Sequence, residues 1–227
     1  VVPERPAETA RPEERRDAIG RRAALALADP ATSDGLAELR EALADPAPSI
    51  RQAAFTHLAR HGQLRAHDAL AALGDLDAHV RRRAAEELAR HCRGNVSEAV
   101  AETLTLLLDD ASPSVVEAAA FALGELGVHA AARALEATAR THPDPLCRES
   151  AVAALGALGD PASLPTVLGA LDDRPAVRRR AAVALAAFDG PAAEAGLAKA
   201  AADRDWQTRA IAQALLGAGR DEGPPGA

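Results

Sequence analysis

Residues 147–178 read CRESAVAALGALGDPASLPTVLGALDDRPAVR. The stretch opens and closes on the same pair, a small apolar residue followed by arginine, at Cys147-Arg148 and again at Val177-Arg178. Between them Ala151 and Leu155 continue from Cys147 in steps of four. A Gly-Asp-Pro break follows at 159–161, then a second apolar run from Leu164 to Leu171, then the turn Asp172-Asp173-Arg174-Pro175. Apolar residues three and four apart mark amphipathic helices, and Gly and Pro mark where one helix stops and the next begins. The stretch is therefore one structural unit of two helices.

The same register recurs on both sides. Units align on Ile50-Arg51, Val80-Arg81, Val115-Val116, Cys147-Arg148, Val177-Arg178 and Thr208-Arg209, at spacings of 30, 35, 32, 30 and 31 residues. Self-similarity at such a period is the signature of a repeat array. Ile19, Ala23 and Leu27 fit the pattern 31 residues upstream of Ile50 and predict an N-terminal capping half-repeat. First helices are predicted over 33–43, 64–73, 96–108, 128–139, 163–171 and 192–201. Pro48, Pro113, Pro143 and Pro175 fall in the turns, and Gly62, Gly94, Gly127, Gly159 and Gly190 close second helices. The expected fold is all-α, a right-handed α-solenoid of six helix pairs over residues 13–219. A Pro-rich leader, 1–12, and a flexible tail, 220–227, are expected to flank it.

Composition agrees. Of the 227 residues 48% are hydrophobic but only 2% aromatic, with no Tyr or Met. About a quarter are alanine, and all 26 basic residues except Lys199 are arginine. A β-sheet core needs Val, Ile and aromatics, whereas alanine at this density suits closely packed helices. The net charge of -7 argues against nucleic acid and anionic membranes as partners. No apolar run approaches a membrane span, and the first residues hold no signal-peptide core, so a cytoplasmic location is expected. Cys92 and Cys147 read as buried thiols rather than a disulfide framework.

With the apolar residue of each pair numbered i, 100° of rotation per residue puts i, i+4, i+8 and i+11 on one face of the second helix, the predicted core. The arginine at i+1 lies at its edge. Position i+9 is always small, at Ala59, Ala89, Gly124, Gly156, Ala186 and Gly217, so that neighbouring second helices can approach closely. Positions i+2, i+3, i+6 and i+10 face away from the core.

The run V-R-x-x-A-x-x-A-L-G-x-L-G-D-P-x-A, with Cys147 in place of the first Val, resembles the HEAT-repeat superfamily over nearly the whole chain. It is most similar to the short bacterial variety found in phycobilin lyases. The resemblance implies that the i+1 arginines pair with turn aspartates of adjoining units, for which Asp45, Asp75, Asp172 and Asp203 are placed. The ladder should break at Val116. It also implies that the outward positions line a concave groove that binds a protein or peptide. Candidate partner-binding residues are Gln52, Thr56, Arg82, Arg83, Glu86, Arg90, Glu117, Phe121, Glu125, Arg179, Arg180, Val183 and Ile211. The groove reads charged over the first three units and small and apolar afterwards, which fits a partner with charge at one end and an apolar anchor at the other. Composition alone would also supply alanines there. The triplets 81–83 and 178–180 sit in the first turns of helices, where the macrodipole disfavours cations, so each needs a carboxylate or an acidic partner.

Enzymatic relatives were tested residue by residue. Deoxyhypusine hydroxylases carry repeated His-Glu dyads near this position, and none is present here. HEAT-like DNA glycosylases need a basic groove with aromatics, and Trp206 alone falls outside the groove register. His57 and His61, with His91-Cys92, are too loosely spaced for a zinc site. No phosphate loop, G-x-S-x-G or H-E-x-x-H motif occurs. The expectation is a non-enzymatic scaffold or adaptor without cofactor or metal, the alternative being an accessory subunit of an enzyme, including a phycobilin-lyase-like role.

Overall fold

The computed structural model describes residues 12–92 and 96–221, and every regular element among them is helical. Helix α1 (Pro12–Leu25) is followed by six pairs. They are α2 (Ser33–Ala42) with α3 (Pro48–Arg60), α4 (Ala66–Leu73) with α5 (Ala78–His91), and α6 (Glu98–Leu106) with α7 (Pro113–Glu125). Then come α8 (Ala132–Thr141) with α9 (Pro145–Leu158), α10 (Leu164–Gly169) with α11 (Pro175–Ala184), and α12 (Pro191–Ala200) with α13 (Trp206–Asp221). Residues 1–11 of the expected leader, 222–227 of the expected tail, and Gly94 lie outside the described residues.

Local chemistry sets the boundaries. Pro48, Pro113, Pro145 and Pro175 each sit in the first turn of a second helix, where the missing N–H costs nothing. Pro143 instead precedes the cap, and Asp144 accepts the Leu146 N–H there. Gly159 closes α9 at φ 63, a left-handed conformation that side-chain-bearing residues rarely adopt.

The core follows the predicted register except at i+11 of the first two units, where His61 and His91 are exposed. Ile50, Ala54 and Leu58, and their equivalents in the later units as far as Ala212, are buried. Position i+5 is buried too, at Phe55, Ala85, Ala120, Val152 and Ala182, because a second helix in a stack is covered on its flanks as well as from behind. The start of the array departs from expectation. Helix α1 packs on α3 through Leu25, which is buried, while Ile19 and Ala23, both within the helix, and Leu27, beyond its end, are exposed.

Second helices contact their successors much more extensively than first helices contact theirs. The more tightly packed row is the inner one of a curved stack. Small side chains permit this: a Cβ on Gly124 would lie 2.9 Å from Ala154 Cα, and one on Gly156 would lie 2.7 Å from Ala184 Cβ. Position i+9 of one unit thus packs on i+7 of the next. Ala59 and Ala89 are likewise buried, whereas Ala186 and Gly217 are exposed and seal no contact.

The arginine ladder is present, with one correction. Arg51 clasps Asp75 through two hydrogen bonds of 2.7 Å, and Arg81 clasps Asp110 at 2.7 and 2.9 Å. Arg148 binds Asp173 at 2.7 and 2.6 Å rather than the expected Asp172, which is exposed and pairs with Lys199. The short 3-10 turn Ala170–Asp172 carries Asp172 outward and leaves Asp173 at the ladder position. Arg178 binds Asp203, and Arg21 of α1 binds Asp45. The guanidinium groups of Arg51, Arg81, Arg148 and Arg178 also donate to turn carbonyls of their own units. Hydrogen bonds to the aspartates raise the pKa of all four arginines above the ordinary value, despite opposing desolvation.

Where Val116 replaces the arginine, the next unit's turn carries His142 in place of aspartate, and the two changes remove both partners of one rung. His142 Nδ1 accepts the Asp144 N–H at 3.1 Å, the role that Asp75 Oδ1 performs for Asp77. Because Val116 is buried, Val116→Arg alone should strand a charge. Adding His142→Asp should restore about 2 kcal/mol, a coupling measurable by a double-mutant cycle in urea.

A groove along the second helices

The inner face of the stack is built from outward positions of α3, α5, α7, α9, α11 and α13. At its N-terminal end Gln52 donates to the His79 carbonyl at 3.0 Å, bridging α3 to α5. On α5 Arg83 lies 3.0 Å from Glu86 and 3.6 Å from Glu87, and Arg82 lies 3.7 Å from Glu86. Arg90 lies 3.5 Å from Glu87 and 3.9 Å from Glu86. Two members of the first triplet, Arg82 and Arg83, are therefore compensated within their own helix, while Arg81 is held by Asp110. The second is compensated between units: Arg179 donates to Gln207 Oε1 at 2.6 Å and lies 3.6 Å from Asp205, and Arg180 lies 3.3 Å from Glu149. These carboxylates offset the adverse macrodipole.

The middle of the groove is less polar. Phe121 is 47% exposed and borders a cavity of about 320 Å³ with Gly124, Ala153 and Ala157, rimmed by Glu125, Glu149 and Arg180. Glu117, half-buried nearby, has its carboxyl pushed up by burial and then by Asp144 and Glu149. Val183 is 45% exposed farther along, while Ile211 is half-buried against the core. Six of the candidate residues border cavities, Phe121, Glu125 and Arg180 around this one and Gln52, Thr56 and Arg83 around a second near α1, while Arg82, Glu86, Arg90, Glu117, Arg179, Val183 and Ile211 line neither.

Glu87 is not among the candidate residues read from the sequence. It is 1% exposed, and its Oε1 lies 3.5 Å from Thr56 Oγ1. It stands at i+7, a position filled by Ala122, Ala154 and Ala184 in the next three units. Aligning the units column by column exposes both Glu87 and its predecessor His57 as exceptions. His57 stacks on His61 with ring centroids 4.8 Å apart, and burial, then His61 and Arg60, lower its pKa. No group of three or more metal-ligating side chains is assembled among the described residues.

Cys92 and Cys147 are free thiols, the first half-buried and the second buried. Burial pushes the Cys147 thiol up to about 12, and its Sγ donates to the Pro113 carbonyl of the preceding unit, so it acts as a core residue. No helix among the described residues is long and apolar enough to cross a membrane.

The sequence profile of HEAT repeats matches residues 68–156 and 137–217. No curated protein matches the chain. Among solved structures, a designed armadillo repeat protein is 20% identical with a TM-score of 0.56, covering 80% of this chain and 98% of its own. The complex of CpcE and CpcF of phycocyanin lyase from Nostoc sp. PCC7120 is 25% identical with a TM-score of 0.55, covering 96% of this chain and 81% of the matched one.

Proposed function

The chain belongs to the HEAT-repeat family, and on that premise we propose that it is a non-enzymatic recognition module holding a protein or peptide in the groove of its second helices. Repeat solenoids present extended concave surfaces suited to this use. The observation that carries the reading is the seat around Phe121. An aromatic ring left 47% exposed, on a floor of glycine and alanine with carboxylates and an arginine at the rim, has the composition of a hot spot for an apolar anchor. The ion pairs of Arg82 and Arg83 support a framework role for those two arginines, with recognition falling on Phe121 and its neighbours.

A second reading is favoured by the likeness to the CpcE and CpcF complex: the chain serves as an accessory subunit whose bound partner carries out catalysis. In that case the captured partner is itself an enzyme whose rate depends on this chain.

Affinity capture from the lysate of the native host, with wild type, Phe121→Ala and Leu106→Ala, tests the groove. Leu106 is 73% exposed on the first-helix row and serves as the control. Phe121→Ala is expected to weaken the principal partner at least tenfold, about 1.4 kcal/mol or more, and Leu106→Ala to leave it unchanged. Loss with Leu106→Ala and retention with Phe121→Ala would place the binding surface on the outer row.

A further inference from the structure

The second cavity, about 440 Å³, lies where α1, α3 and α5 meet, and it breaks the rule that seals the α7–α9 and α9–α11 contacts. Between α7 and α9, and between α9 and α11, a glycine packs on an alanine at i+7 of the next unit. Between α3 and α5 that alanine is replaced by Glu87, and the preceding i+7 residue is His57; both line the cavity. A carboxylate that is 1% exposed in place of a methyl group is a costly substitution to keep without a role.

Its surroundings indicate the role. Glu87 Oε1 is shared among Thr56, Arg90 and Arg83, whereas Oε2 receives no hydrogen bond and lies 3.2 Å from His91 Nε2, with which it forms an ion pair only when that imidazole is protonated. Arg22 and Arg60 line the same cavity, and neither has a carboxylate partner among the described residues. In a chain of net charge -7, two guanidinium groups with no carboxylate partner among the described residues, and a buried carboxylate oxygen that receives no hydrogen bond, form a site with complementary halves.

Resting on the proposed groove function, we infer that this cavity binds an acidic peptide segment, its carboxylates on Arg22 and Arg60 and a backbone N–H on Glu87. A peptide supplies both an anion and a donor at close spacing. A phosphodiester backbone supplies only the anion and leaves Glu87 Oε2 without a donor.

The test is fluorescence anisotropy of labelled hexaglutamate titrated with the whole chain, with hexalysine and hexathymidylate as controls. Hexaglutamate is expected to bind in a salt-sensitive manner and hexalysine not to bind. Arg22→Glu/Arg60→Glu should weaken hexaglutamate at least tenfold. Arg133→Glu, an exposed change on α8 away from the cavity, should leave it unchanged. Both reversals are at exposed positions, and thermal unfolding followed by circular dichroism checks that the fold is retained. Absence of hexaglutamate binding, equal binding by the double variant, or tighter binding of hexathymidylate would overturn the inference. If hexaglutamate fails while Phe121→Ala still loses its captured partner, only the assignment of this cavity falls. If hexaglutamate binds through Arg22 and Arg60 while Phe121→Ala keeps its partner, the Phe121 seat falls and this site stands.

Discussion

Arg178→Ala is expected to lower the unfolding free energy by about 3 kcal/mol, as measured by urea denaturation. The Arg178 side chain is 5% exposed, donates to both carboxylate oxygens of Asp203 at 2.8 and 3.0 Å, and also holds the Asp173 carbonyl. Removing it leaves Asp203 partly buried without its counter-charge and the α10–α11 turn without its donor. The desolvation cost of the remaining partner, rather than the loss of attraction alone, sets the size of the effect. Arg178→Ala/Asp203→Ala should therefore recover part of the loss.

The same pairs give the stability its acid limb. Hydrogen bonds from Arg148 and Arg178 hold the Asp173 and Asp203 carboxyls below the ordinary carboxylate range. A carboxyl lowered in the folded state binds protons more readily in the unfolded chain. Its stabilisation is therefore fully present above the unfolded value, about 4, and is lost as pH falls through the lowered folded value. The urea midpoint of the wild type should fall below that pH. In Arg178→Ala the part of this dependence owed to Asp203 should disappear.

Gly156→Leu should cost about 3 kcal/mol by a different route, overpacking. The first added carbon would lie 2.7 Å from Ala184 Cβ and 2.9 Å from Ala184 Cα, and the latter belongs to the backbone of α11, which cannot rotate away. The two helices must separate, and each unit contacts only its neighbours, so the array should then unfold in two stages instead of one. Gly217→Ala is the control: nothing lies within 4 Å of its added carbon, and helix propensity should make it neutral or stabilising by up to about 1 kcal/mol. Circular dichroism in urea separates the two outcomes.

The core could be read from one helix at a time because its cause is local, whereas the pairing of the ladder, which joins adjoining units, followed only from the family resemblance. Ile50, Ala54 and Leu58 follow the α-helical period, and the arginine one residue along marks the edge. Burial of Phe55 and its i+5 equivalents was not readable that way, since it depends on flanking helices that the period of one helix does not encode. The choice of Asp173 over Asp172 turned on a 3-10 turn of three residues, below the precision with which sequence places a helix end. Ile19, Ala23 and Leu27 matched the period but lie exposed, because α1 meets α3 through Leu25 and the period alone does not say which face of a helix at the end of a stack is covered. Of the candidate site, the outward positions were readable but their pairing was not, because Arg179 and Arg180 find partners in other units. Glu87 stood out only when the units were aligned column by column.

The central claim is that recognition takes place on the inner row of helices. Amide hydrogen exchange of the chain, alone and with its captured partner, tests it most directly. The prediction is that protection appears in α7, α9 and α11, around Phe121, Ala153 and Val183. Protection confined to α4, α6, α8, α10 and α12, with the inner row unchanged, would contradict it.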